Sequence, residues 1–279
     1  MDNFNGEKKS RSIGKGILFA LLILIFIGAA IAYFLDFGKL PEDEAVVKEA
    51  QTIYRDVYRR HYPGDTDSTA LPSPTPDPPQ PTERAIRPEF LELMEIYDND
   101  DIVGYINIPG TSVDYIVLQK RDDKNEFYLN NDIYKKPSGA GWIYLDYEND
   151  VFLEDPSMII YGHNMSKDIM FHSLRYYVNL DYYEGHPLIT FNTLYDDFTW
   201  EIFSVFITKT TFSYNIVNFK SRDAYYELAS EVKRRARYDT GIEISPDDRI
   251  LILSTCTSAD PNSDERLVVA ARLMRDESR

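Results

Sequence analysis

Cysteine is almost absent: Cys256 is the only one in 279 residues. A lone cysteine cannot close an internal disulfide, so any stabilising cross-link within the chain is excluded. The usual metal-ligand strings are missing too. There is no HExxH, no CxxC pair and no EF-hand loop, and this argues against a metal site. No glycine-rich phosphate loop occurs, and GxSxG is absent, so a serine hydrolase of that type is not indicated. Positive charge is scarce, with 30 Lys and Arg against 46 Asp and Glu and a net charge of −16. The first fifteen residues hold four Lys or Arg and two acids, so the rest of the chain carries −18. A fold of that charge lacks the cations that phosphate contacts need, which excludes nucleic acid as a partner. It suits solubility outside the cell, and cationic or amine-bearing partners.

Aromatic residues are plentiful: 21 Tyr and 15 Phe supply a real core and exclude global disorder. Long apolar runs are limited to one. After a basic arm (1–15) with Lys8, Lys9, Arg11 and Lys15, the stretch GILFALLILIFIGAAIAYFL (16–35) has twenty residues without a charge. That length spans a bilayer, and the basic flank predicts a cytoplasmic N-terminus with the bulk of the chain outside. Ala30-Ile31-Ala32 has the small-x-small form of a signal-peptide cleavage site, the rival reading, but the run is longer than a usual signal core. The layout predicted is a cytoplasmic arm (1–15), a membrane anchor (16–36), a juxtamembrane helix (37–62), a proline-rich linker (63–87) and an extracellular domain (88–279).

Val46, Val47, Ala50, Tyr54, Val57 and Tyr58 recur at helical spacing in the juxtamembrane segment. Six prolines between Pro72 and Pro81 predict an extended stalk that contributes no core. Beyond Pro88 a short helix (88–97) precedes eight strand-like runs: 102–108, 113–119, 141–146, 158–161, 188–191, 200–208, 250–255 and 267–274. They are rich in β-branched and aromatic residues, and a mostly β domain closed into a barrel is the expected solution. Two segments read as helix instead. One is 165–177. The other is 221–237, which Ser221 can cap, with Lys233, Arg234, Arg235 and Arg237 complementing the dipole at its C-terminal end.

The chemistry centres on LILSTC (251–256), TSADPNSDE, and RLVVAARLM from Arg266. Two strands joined at Pro261-Asn262 would set Cys256 opposite Arg266, with Cβ atoms about 5 Å apart. A neighbouring cation favours the thiolate, which is the nucleophile. Of the four histidines, His61 beside the linker reads as solvated, and His172 and His186 show no partner pattern. His163 follows an apolar strand and a glycine in SMIIYGHNMS, where loops on rigid scaffolds carry function, and it is the candidate proton carrier.

YGHNM around His163, LSTC ending at Cys256 and Arg266 ten residues later together resemble the sortase signature. GYINIPGTSVDYIVLQ (104–119), FYLNND and GWIYLDYEND resemble that family's early strands. The helical segment 221–237 between the sixth and seventh runs, and the lead-in 88–97, are similar to class B members. The resemblance implies an eight-stranded β-barrel cysteine transpeptidase without a cofactor. It would cleave a C-terminal sorting signal of a secreted protein after a threonine and hold the acyl chain as a thioester. An amine of a peptidoglycan precursor would then take that chain. By the same resemblance Cys256 is the nucleophile, His163 the general acid and base, and Arg266 the stabiliser of the oxyanion. Asn125, Leu129, Tyr214, Ile216 and Ser254 would line the sorting-peptide groove. Thr257 departs from the pattern, since an acid follows the cysteine in the class B sequence compared. Two other readings stand beside this one: a pilin-polymerising sortase that uses a pilin lysine as acceptor, and a non-catalytic exported β-domain that presents a binding surface.

Overall fold

All eight strand-like runs form strands in the computed structural model, which describes residues 41–64, 85–151, 155–257 and 263–274. They are β1 (Ile102–Asn107), β2 (Asp114–Leu118), β3 (Tyr144–Leu145), β4 (Ser157–Tyr161), β5 (Leu188–Thr193), β6 (Thr199–Lys209), β7 (Ile250–Cys256) and β8 (Glu265–Leu273). They close into a barrel in the order β1-β2-β3-β4-β7-β8-β6-β5. β2–β3 and β4–β7 are parallel, and the remaining pairs are antiparallel. Closure leaves no unpaired sheet edge.

The period-2 alternation of strand side chains divides the apolar residues between two cores. On β7, Leu251 and Leu253 face the barrel interior with Met158, Ile160, Val205 and Val269. Ile250 and Ile252 face outward with Ile159, Phe206, Val268 and Ala270. A helix covers that outer row: α4 (Arg222–Arg234), inserted between β6 and β7. Ser221 caps it, its Oγ accepting from the Ala224 amide at 3.1 Å, and Lys233 and Arg234 occupy its last turn. Of the apolar stripe Tyr225, Leu228, Ala229 and Val232, Leu228 is only half-buried and the other three are buried.

Two more helices enter the interior core from the N-terminal side. The chain is helical over 41–61 (α1), and α2 spans Pro88–Tyr97. Val47, Ala50, Tyr54 and Val57 of α1 are buried in the same core as Phe90, Leu93 and the barrel strands. Tyr54 stacks on Tyr105 of β1 with ring centroids 3.4 Å apart. Gln51 Nε2 donates to the Asp114 carbonyl at 3.1 Å, and Arg55 pairs with the Asp114 carboxylate. α1 is therefore part of the barrel's core, and the proline-rich stretch after it joins two helices that pack on one barrel.

Other expectations change as well. The segment 165–177 is not one helix. It forms two 3₁₀ turns, Ser166–Asp168 and His172–Val178, because Lys167, Asp168 and Met170 take left-handed φ values of 63°, 58° and 56°. A short α3 (Leu180–Gly185) follows. His61 is not a free solvated ring, since its Nε2 lies 2.8 Å from the Glu92 carboxylate. The apolar run at 16–35, most of the proline-rich stretch and the hairpin centre at Pro261-Asn262 lie outside the described residues. Among the described residues no helix is long and apolar enough to cross a membrane.

Candidate active site

The parallel pairing of β4 with β7 sets the position of His163. Tyr161 is in register with Ser254, and the Gly162 amide extends the ladder to the Ser254 carbonyl at 3.3 Å. His163 follows β4 by two residues, and Cys256 closes β7 on the outer face shared by Ile252. Asn164 closes the pair, its Nδ2 donating to the Cys256 carbonyl at 3.0 Å. Gly162 has to be glycine: a Cβ there would sit 2.3 Å from Ile143 and 2.9 Å from the Phe171 ring. β8 supplies the third group. Its antiparallel register with β7 runs without a shift to Cys256 opposite Arg266, the pairing expected from the sequence.

His163 is held by one hydrogen bond. Its Nε2 lies 2.8 Å from the Leu129 carbonyl, and since a carbonyl only accepts, Nε2 carries the proton. Nδ1 is then the nitrogen left to exchange a proton with sulfur or substrate. The Leu129 carbonyl is itself packed under Gly141, whose φ is +58° and where a Cβ would lie 2.6 Å from that oxygen. Arg266 is anchored at the hairpin: its Nη1 donates to the carbonyls of Ser263 at 2.8 Å and Glu265 at 3.0 Å. Thr257, in the place after the cysteine, donates to Glu265 Oε2 at 3.4 Å. Cys256 is partly exposed, as a nucleophile must be.

Of the other residues expected at the sorting peptide, two are buried and two exposed. Tyr214 Oη and Ser254 Oγ share a hydrogen bond of 2.7 Å, and both residues are buried. Burial holds the Tyr214 phenol above its ordinary value, while its bond to Ser254 and the field of Arg266 act the other way. Ile216, two residues on, is exposed, and so is the Leu129 side chain. Asn125 stands one step back. In a left-handed conformation (φ 70°), its Nδ2 donates to Asp146 Oδ2 at 2.8 Å, and its Oδ1 accepts from the Tyr147 amide at 2.8 Å. Asp146 also accepts from Tyr161 Oη at 2.9 Å. The sequence reading passed over Asp146, Tyr161 and Asn164. Asp146 and Tyr161 are polar groups at the ends of otherwise apolar strands, a pattern that flags them, whereas the bond of Asn164 to the Cys256 carbonyl needs the β4–β7 pairing to be known.

These strands carry a family match. The model of the sortase domain family matches residues 106–274. The chain is 33% identical over 190 residues to "Sortase B" of Staphylococcus aureus, covering 68% of this chain and 76% of that protein. It is 33% identical over 189 residues to "Sortase B" of Listeria monocytogenes, covering 68% and 75%. Among solved structures, a Staphylococcus aureus sortase B–substrate complex superposes with a TM-score of 0.71 at 28% identity, over 85% of this chain and 98% of that one. The barrel, the helix inserted between β6 and β7 and the sequence match agree, and the chain belongs to the sortase family as a class B sortase, a cysteine transpeptidase of the cell wall.

Proposed function

We propose that this chain is a membrane-anchored enzyme that cleaves the C-terminal sorting signal of secreted proteins and transfers the acyl product to an amine of the peptidoglycan precursor. Cys256 is the nucleophile, His163 the proton carrier and Arg266 the oxyanion stabiliser. What supports the reading most is the β7–β8 register with Cys256 opposite Arg266, together with the bond from Asn164, the residue after His163, to the Cys256 carbonyl.

The Cys256 thiolate attacks the scissile carbonyl carbon and a C–S bond forms. The oxyanion that develops faces the Arg266 guanidinium, whose planar donors suit an oxygen carrying growing charge. The leaving amine takes a proton from the His163 imidazolium as the C–N bond breaks, which leaves a thioester. An incoming amine then attacks the thioester, His163 removes its proton, and the C–S bond breaks to restore the thiolate. The thioester conserves the energy of the cleaved amide, so no nucleotide is consumed. Asn125, Leu129, Tyr214, Ile216 and Ser254 line the peptide groove in this reading, with the outer core beneath as its floor.

The apolar run 16–35 is the anchor, with the basic arm in the cytoplasm and the barrel outside. The test uses the full-length chain and a small panel of quenched peptides bearing a threonine on the acyl side of the cleaved bond. Intact-protein mass should show one acyl adduct, on Cys256, that hydroxylamine removes. Cleavage without an adduct would remove the covalent step. Release of the chain from membranes by a high-salt wash would remove the anchor.

A further inference from the structure

The first turn of α1 touches both loops that hold His163. Asp43 Oδ1 accepts from Ser138 Oγ at 2.7 Å. Ser138 Oγ in turn accepts from the Ala140 amide at 3.1 Å, and its own amide donates to the Asn130 carbonyl at 2.9 Å. This is the turn that presents the Leu129 carbonyl to His163. The neighbouring Glu44 carboxylate accepts from Lys167 Nζ at 3.3 Å and from Lys48 at 2.7 Å within its own helix. Lys167 belongs to the loop that leaves His163 and returns to it: the Phe171 amide donates to the His163 carbonyl at 2.9 Å, and Asn164 bridges to Met170. Lys167, Asp168 and Met170 all adopt left-handed backbone. Such conformations cost free energy and persist only where the surroundings hold them. Two holds are visible: Tyr115 Oη accepts from the Met170 amide at 2.7 Å, and Glu44 binds Lys167.

From this we infer that Asp43 and Glu44 are positioning residues for the transpeptidation reaction. They staple the 128–141 loop to the 163–171 loop and so fix the ring of His163 relative to Cys256. The inference rests on the reading of His163 as proton carrier. It differs from a general packing role for α1. The helix is already held by Tyr54, Val57 and the Arg55–Asp114 pair on its later turns, so the first turn can lose its two polar contacts without α1 leaving the barrel.

The test compares two variants of the full-length chain in detergent micelles, with the quenched peptide as acyl donor and hydroxylamine as acceptor. Asp43→Ala/Lys167→Met removes both contacts. Asp43→Asn/Lys167→Arg keeps an acceptor and a cation in the same places. The first should lose about tenfold in kcat, within the range that a small misplacement of a reacting group costs. KM should stay within about twofold, and melting should move by no more than about 4 °C, since exposed polar pairs add little stability. The conservative variant should recover to within about twofold of wild type. A wild-type kcat in the first variant overturns the inference. So does a fall in kcat that the conservative variant shares, or one matched by a large drop in melting temperature. His163→Ala is run beside them. If it keeps the wild-type rate, the proton-carrier reading itself fails, whatever the staple variants do.

Discussion

The two faces of β7 differ in what they tolerate. Leu251 and Leu253 point into the barrel and have no exposed surface. The side chains of the alternate set, Ile250, Ile252, Ser254 and Cys256, run along the outer face from a sealed apolar layer under α4 to a partly open polar end. One strand therefore carries a stability face and a chemistry face, one residue out of phase. The outer core acts as a floor that stops short of the strand end, and the reactive thiol sits where that floor runs out. Mutations on one face should move stability alone, and mutations at the end of the other should move rate alone.

The largest expected effect is at the open end. Cys256→Ala should abolish peptide cleavage and leave the melting temperature near wild type; residual turnover would show that another group can attack. Next comes Arg266→Lys, which keeps the charge and loses the planar fork. It should cost about 10²-fold in kcat, the scale of one oxyanion donor, again without a change in melting. A near-normal rate would mean that Arg266 supplies only a diffuse field.

On the inner face the expectation reverses. Leu253→Ala leaves a cavity in the closed interior and should destabilise by about 2–5 kcal/mol in denaturant titration. The fraction that remains folded should turn over at the wild-type rate. A chain begun at Thr82 should lose stability too, because it lacks Val47, Ala50, Tyr54 and Val57 and bares the Tyr105 ring that Tyr54 covers, and its kcat should also fall about tenfold because Asp43 and Glu44 go with α1. It should melt well below the full chain; equal melting would show that α1 adds nothing to the core. The smallest effect belongs to Tyr214→Phe. It leaves the buried Ser254 hydroxyl without its partner and should cost about 1–3 kcal/mol of stability or a few-fold in KM. No change in either would mean that the pair is only filler.

Alternation and spacing made most of this fold legible. The eight runs are recognisable because β-branched and aromatic residues alternate between turn signals, and closure follows from their number. The Cys256–Arg266 pairing was readable because both residues lie on one hairpin and its register is local. The approach of the His163 loop to Cys256 was not derivable from spacing, since β4 and β7 are parallel and nearly ninety residues separate them. The 165–177 segment misled because its residues suit a helix, while three left-handed residues break it to bring Phe171 back to the His163 carbonyl. The docking of α1 was missed for another reason. An amphipathic stripe declares that a helix is covered without naming the surface that covers it, and the prolines that follow suggested an arm.

That arm has a different meaning once α1 is seen seated on the barrel. The chain of 65–84 leaves a helix held by the barrel and returns to another held by the same barrel. A protease that nicks this stretch would give two fragments on a denaturing gel that stay together in native solution. The short piece would stay bound through Tyr54, Val57 and Arg55 and would still carry the apolar run of 16–35. In the anchored reading proposed above, release of the barrel would therefore require a cut ahead of α1.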